Sequence, residues 1–185
     1  MKSLSPLLAL SFLGCLLSPV WADSVVVFNE IMYNPSPANE PAGEWVELRN
    51  QMGVDVDISQ WGLADAVDYT FPAGTVIPAG SLIVVAENPA ALMAATPGLT
   101  GVFGPWSGKL NNGGEKIELR NNNRRVMDEA EYNNKGEWPV AADGGGPSLA
   151  RKAKFLDTRK TASWAASRKT GGTPGADNFP DNPEP

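Results

Sequence analysis

The 185-residue chain has no histidine and one cysteine, Cys15. Lack of imidazole excludes Ser-His-Asp triads, and with the lone thiol near the start of the chain, Cys nucleophiles, intrachain disulfides and Cys- or His-ligated zinc are excluded from the body of the protein. Oxygen ligation of calcium or magnesium is the metal chemistry left open. Long apolar runs are also lacking: residues 7–17 form one, too short to span a bilayer as a helix, and no later segment is apolar enough. There is no internal repeat and no coiled-coil period.

What is present begins with an export pattern. Lys2, the apolar run and Ser18-Pro19-Val20-Trp21-Ala22 read as a secretory signal over residues 1–22, cut after Ala22. Leu13-Gly14-Cys15 resembles the end of a lipobox, but the apolar run continues past Cys15 and Phe12 stands where Leu is usual, so the cleaved signal is preferred. The remaining length suits one domain. Without disulfides, packing alone must hold it. Charge is uneven: the whole chain carries −6, yet the segment 151–169 holds seven cations (Arg151, Lys152, Lys154, Arg159, Lys160, Arg168, Lys169) against one acid, Asp157, about +6 by formal counting.

The pattern along the body is of short strands. Residues 24–32 are β-branched and aromatic and run into Asn34-Pro35-Ser36-Pro37, predicting a first strand closed by a turn. Residues 44–49 alternate, with Glu44, Val46 and Leu48 on one face and Trp45, Glu47 and Arg49 on the other. Residues 54–59, 61–63 and 69–71 are further short pieces. Residues 81–86 form a continuous apolar run, expected to be the central strand. Asn88-Pro89 opens a short helical turn ended near Pro97. Residues 115–120 and 125–132 predict a hairpin whose Asn121-Asn122-Asn123 loop tolerates positive φ. After Tyr132 the pattern loosens, and a disordered tail is expected over residues 179–185. Many short strands separated by Gly and Pro predict an all-β sandwich over residues 23–178.

An ordered set of landmarks resembles the lamin tail domain: Asn29-Glu30-Ile31, Gly43-Glu44-Trp45-Val46-Glu47-Leu48, Val56-Asp57-Ile58-Ser59, Trp61, Pro78-Ala79-Gly80, Leu110-Asn111-Asn112-Gly113-Gly114, Tyr132, Trp138-Pro139, Asp143-Gly144, Ser148-Leu149, Trp164 and Gly172-Thr173-Pro174-Gly175. The set covers nearly all of the chain after the signal, although no single piece is specific. The resemblance implies an immunoglobulin-like β-sandwich without cofactor that binds or scaffolds rather than catalyses; in lamins the domain binds proteins and DNA, and it also occurs in exported bacterial proteins. A signal and no rod place filament and nuclear roles out of reach.

Candidate sites follow from residue chemistry. Carboxylate pairs (Glu30 with Glu47, Asp55 with Asp57, Asp128 with Glu131) have the composition of an acid–base dyad. For Asp55 and Asp57 capping of backbone N–H groups is the simpler role, and for Glu30 and Glu47 an ion pair with Arg49 or Arg151. Asn111, Asn112, Asp128 and Asp143 are possible calcium donors near Gly-rich turns, without the dense acidic spacing of a dedicated loop. Trp45, Trp61, Trp138 and Trp164 stand at landmark positions and suggest packing, whereas Trp106, in a Gly-Pro-rich loop, is the candidate exposed ring, with a place in the core as the alternative. Arg151, Lys152, Lys154, Arg159 and Lys160, interleaved with Phe155 and Trp164, have the composition of a polyanion grip; the alternative is a basic loop that neutralises an acidic body. The leading expectation is a binding module for a protein or polyanion such as DNA or an acidic polysaccharide. A calcium-assisted carbohydrate binder and a carboxylate hydrolase are its alternatives, and oligomeric state is left open.

Overall fold

A computed structural model describes residues 24–39 and 42–180. The expected signal, Cys15 and residues 181–185 of the expected tail lie outside them. No helix among the described residues is long and apolar enough to cross a membrane.

Two five-stranded antiparallel sheets pack face to face. The first has the order β12 (Trp164–Thr170), β11 (Pro147–Arg151), β1 (Val26–Met32), β2 (Trp45–Asn50), β7 (Leu82–Ala86). The second has the order β10 (Val126–Asn133), β9 (Gly114–Arg120), β4 (Gly62–Asp65), β5 (Val67–Thr70), β8 (Ser107–Gly108), and β3 (Val56–Asp57) pairs with β6 (Val76–Ile77) beside them. Together they make an all-β, immunoglobulin-like sandwich.

β1 is the centre of the first sheet, and a bulge sets its faces. Its pairing with β2 slips between Phe28 and Glu30. Asn29 is the extra residue, so Val26 and Phe28 before it and Ile31 and Tyr33 after it all enter one core, which strict alternation would forbid. The same slip places Glu30 directly across from Glu47. Val46 and Leu48 join the core from β2, and Leu63, Phe71, Ile117, Leu119 and Tyr132 close it from the second sheet. Tyr33 stacks on Tyr132 with ring centroids 4.6 Å apart.

The outer face of the first sheet is buried as well. Met32, Trp45, Val84 and Ala86 pack there against Leu92 of the helix α1 (Pro89–Ala95), whose cap Asn88 accepts from the Ala91 N–H at 3.2 Å. Residues 81–86 therefore do not form the central strand. β7 is an edge, and its run is apolar on both sides because α1 covers one face while Phe103 bridges its rim, donating to Val84 O at 2.8 Å and accepting from Ala86 N at 3.0 Å. The hairpin forms as expected, but positive φ falls on Arg124 (61°) rather than on an asparagine; Asn121 instead accepts through its side chain from Asn123 and Arg125. β11 and β12 are strands where the pattern had loosened.

Candidate functional site

The face opposite the core carries the most unusual chemistry. Glu30 and Glu47 are cross-strand neighbours there and both are fully buried. Residues 171–178 cross over them as a strap. Glu30 accepts from the Ser148 hydroxyl, from Thr173 N at 2.9 Å and from Thr173 Oγ1 at 2.8 Å. Glu47 accepts from Asn29 Nδ2 at 2.7 Å and from Gly175 N at 2.6 Å. Asn178 fastens the end of the strap by donating to Asn29 O at 2.9 Å and to Arg151 O at 3.0 Å. Neutral donors thus occupy both carboxylates where the sequence suggested an ion pair, and Arg49 pairs with Asp177 of the strap at 3.1 Å.

Burial pushes Glu30 up to about 7 and Glu47 up to about 8, the latter raised further by the charge of Glu30 and lowered by its hydrogen bonds and Arg49. The strap fits closely because Gly172 adopts φ 77°, and a Cβ there would meet Glu30 Oε1 at 2.7 Å, Trp45 Cζ2 at 2.7 Å and Ser148 Oγ at 2.9 Å. Between the strap and the loop after α1 lies a cleft of about 690 Å³ bordered by Asn39, Leu99, Lys169 and Pro174. The two glutamates lie under the strap, hydrogen-bonded and closed to solvent. Their arrangement fastens chain rather than receiving a substrate.

The basic segment divides in space. Arg151 is buried, 2% exposed, and its guanidinium donates to Gln51 Oε1 at 2.9 Å. It is a framework residue, which corrects its place among the contact candidates. Arg159 holds Asp157 at 2.8 Å. Lys152 and Lys160 are exposed, Lys154 is half-buried, and Lys152 and Lys154 border a recess of about 280 Å³ with Arg49 and Asp177. Trp106 is the second correction: it is only 7% exposed and belongs to the core, its Gly-Pro flanks bending the loop inward. Among the described residues the exposed aromatic ring is Phe155, at 71%.

The other landmarks take structural roles. Asp57 accepts from Ser59 N at 2.8 Å and Asp55 from Ala79 N at 2.9 Å, the capping expected of them; the Ser59 donors hold Asp57 below its ordinary range. Asp143 joins Asn34 at 2.6 Å to Asn134 at 3.1 Å. Glu44 accepts from Leu110 N at 2.7 Å. Gly80 turns with φ 68°, and Gly113 donates to Asn111 Oδ1 at 2.8 Å. Trp45 and Trp164 are buried, and Trp61 and Trp138 pack half-buried against the core. Asp128, buried between the sheets, accepts from Phe28 N at 2.8 Å and Thr158 Oγ1 at 2.7 Å, and burial raises it to about 6. Among the described residues no group of three or more Asp or Glu gathers as a metal cluster.

The Lamin Tail Domain family model matches residues 20–134, more than half of the chain. The chain belongs to the lamin tail domain family. The matched part carries both glutamates, the bulge and the hairpin; Ser148, Trp164 and the strap lie beyond it. No curated protein matches the chain. In this lamin tail domain the sequence landmarks Glu30, Glu47, Ser148, Gly172 and Pro174 converge on one assembly, a convergence that spacing along the chain does not reveal.

Proposed function

We propose that this lamin tail domain is an exported, non-enzymatic module that binds a protein or a polyanionic polymer such as DNA, with the segment 151–169 at the edge of its contact surface. The observation that carries the reading is the concentration of exposed cations along one border. Lys152 and Lys160 flank the loop that leads into edge strand β12, and Arg168 and Lys169 lie exposed on that strand, while the remaining acids outnumber the remaining bases. Such a border attracts phosphate or sulfate despite the net charge of −6. The engagement of Glu30 and Glu47 by the strap supports a non-enzymatic role, since groups committed to holding chain are not offered to a reactant. Passing the mature protein over immobilised heparin and duplex DNA at low ionic strength tests the polyanion form. Retention that falls as salt rises, and that Lys152→Glu with Lys160→Glu abolishes, is expected; flow-through on both columns would dismiss it.

A further inference from the structure

We infer that the end of the sandwich built from residues 51–54, 121–126 and 152–160 docks an extended acidic polypeptide, one apolar side chain of which seats in the groove beside Phe155. This rests on the binding reading above and narrows it to one class of partner.

Phe155 is 71% exposed and adopts φ 59°, a left-handed backbone that bulky residues rarely take. The fold gains neither burial nor relaxed geometry from this side chain. Its position is nonetheless fixed. The Phe155 N–H donates to Gln51 Oε1 at 2.8 Å, the oxygen that also receives Arg151. On the far side of the loop Thr158 is held by Asp128, and Trp164 Nε1 donates to Thr158 O at 2.8 Å. A strained, solvated aromatic held by a buried frame is arranged for contact with something outside the molecule.

Beside it lies a groove of about 520 Å³, lined by the apolar Val25, Val126, Met127 and Leu156, by the cations Arg125 and Arg159 and by the acids Asp128, Glu129 and Asp157. Val126 and Leu156 are themselves exposed at 45% and 37%. Arg124 stands on the hairpin loop next to Arg125, and Lys152, Lys154 and Lys160 lie on the segment that carries Phe155, Lys152 and Lys154 bordering the neighbouring recess; of the acids, Asp157 is held by Arg159 and Asp128 by Phe28 N and Thr158. Apolar walls amid segments whose cations (Arg124, Arg125, Lys152, Lys154, Arg159, Lys160) outnumber the acids Asp128, Glu129 and Asp157 complement a chain that offers carboxylates around a hydrophobic residue. A sulfated polysaccharide satisfies the cations but has no side chain for the groove, and a bilayer would cover the Phe155 ring but leave the concave groove beside it unfilled.

The test uses the mature protein and fluorescence anisotropy with two labelled peptides, a run of aspartates interrupted by one leucine and the same run with serine in its place. Burial of the leucine is expected to tighten binding about tenfold over the serine peptide. Phe155→Asn should erase that difference without lowering Tm, because Asn accepts the left-handed backbone, and Lys152→Glu with Lys154→Glu should weaken both peptides. Equal binding of the two peptides, or a leucine preference that survives Phe155→Asn, overturns the inference. So does Phe155-dependent binding to phosphatidylglycerol vesicles, or Phe155-dependent self-association, without a leucine preference. Heparin retention with no leucine preference defeats the inference and leaves the broader binding reading standing, whereas failure of peptides, heparin and DNA alike defeats both.

Discussion

Glu30 and Glu47 face each other across β1 and β2 with different kinds of partner. The hydroxyls of Ser148 and Thr173 can turn to accept as well as donate, so a protonated Glu30 keeps its hydrogen bonds; Glu47 faces the N–H groups of Asn29 and Gly175, which only donate. A proton on Glu30 therefore costs no hydrogen bond, while Glu47 is the group pushed up further, to about 8, by burial and by the charge of Glu30. Both groups are raised above the ordinary carboxylate value of 4.5, so the folded state binds protons that the unfolded chain has released. Their contribution is intact below that value and is lost as pH rises through about 7 and about 8. Tm is expected to fall across this window, and Glu30→Gln to make the fall shallower, because it removes one titration and the repulsion that raises Glu47; melting curves at a series of pH values provide the check. At Gly172 the backbone and the close approach of Glu30 and Trp45 both exclude a methyl group, so Gly172→Ala should cost roughly 2–4 kcal/mol in urea denaturation. Replacing Phe155 by Asn acts in the opposite direction, with a gain of a few tenths to about 1 kcal/mol expected from relief of the left-handed strain. The burial of Trp106 was not legible in its neighbours, since Gly104, Pro105 and Gly108 read as a surface turn and only the tertiary path brings the ring inward.

At the scale of elements, β1, β2 and the β9–β10 hairpin were readable because each buries one alternating face, and alternation is written in the residues themselves. β11 and β12 were not. Pro147, Ser148 and Arg151 in one strand, and Ala165, Ala166 and Ser167 in the other, carry little of the β-branched signal, and their pairing beside β1 is enforced from afar. β7 misleads in the opposite way, its apolar run recording cover by α1 and Phe103 rather than a central place. The strap carries no strand or helix pattern at all, and its order comes from buried acceptors on other elements. Asn178→Ala leaves the carbonyls of Asn29 and Arg151 without that donor, at a cost of about 1–3 kcal/mol each in a buried setting. Limited proteolysis is expected to show faster cleavage within residues 171–180 while the hairpin stays protected.

Over the whole molecule the charge is polar as well as negative. With a sequence pI of about 4.7, the protein should flow through a cation exchanger near neutral pH if it behaved as a uniform charge. The basic border should instead retain it, and Lys152→Glu with Lys160→Glu should bring the elution salt down toward that of an unretained protein. The placement of β1 also has a consequence for how the molecule comes into being. Glu30 pairs with Glu47 on one side but with Ala150 on the other, and its carboxylate is roofed by Thr173. A chain made from its amino end thus releases its middle strand first and waits for more than a hundred further residues before that strand gains its second neighbour and its lid. The sheet around β1 is therefore completed only when the last third of the chain has been made.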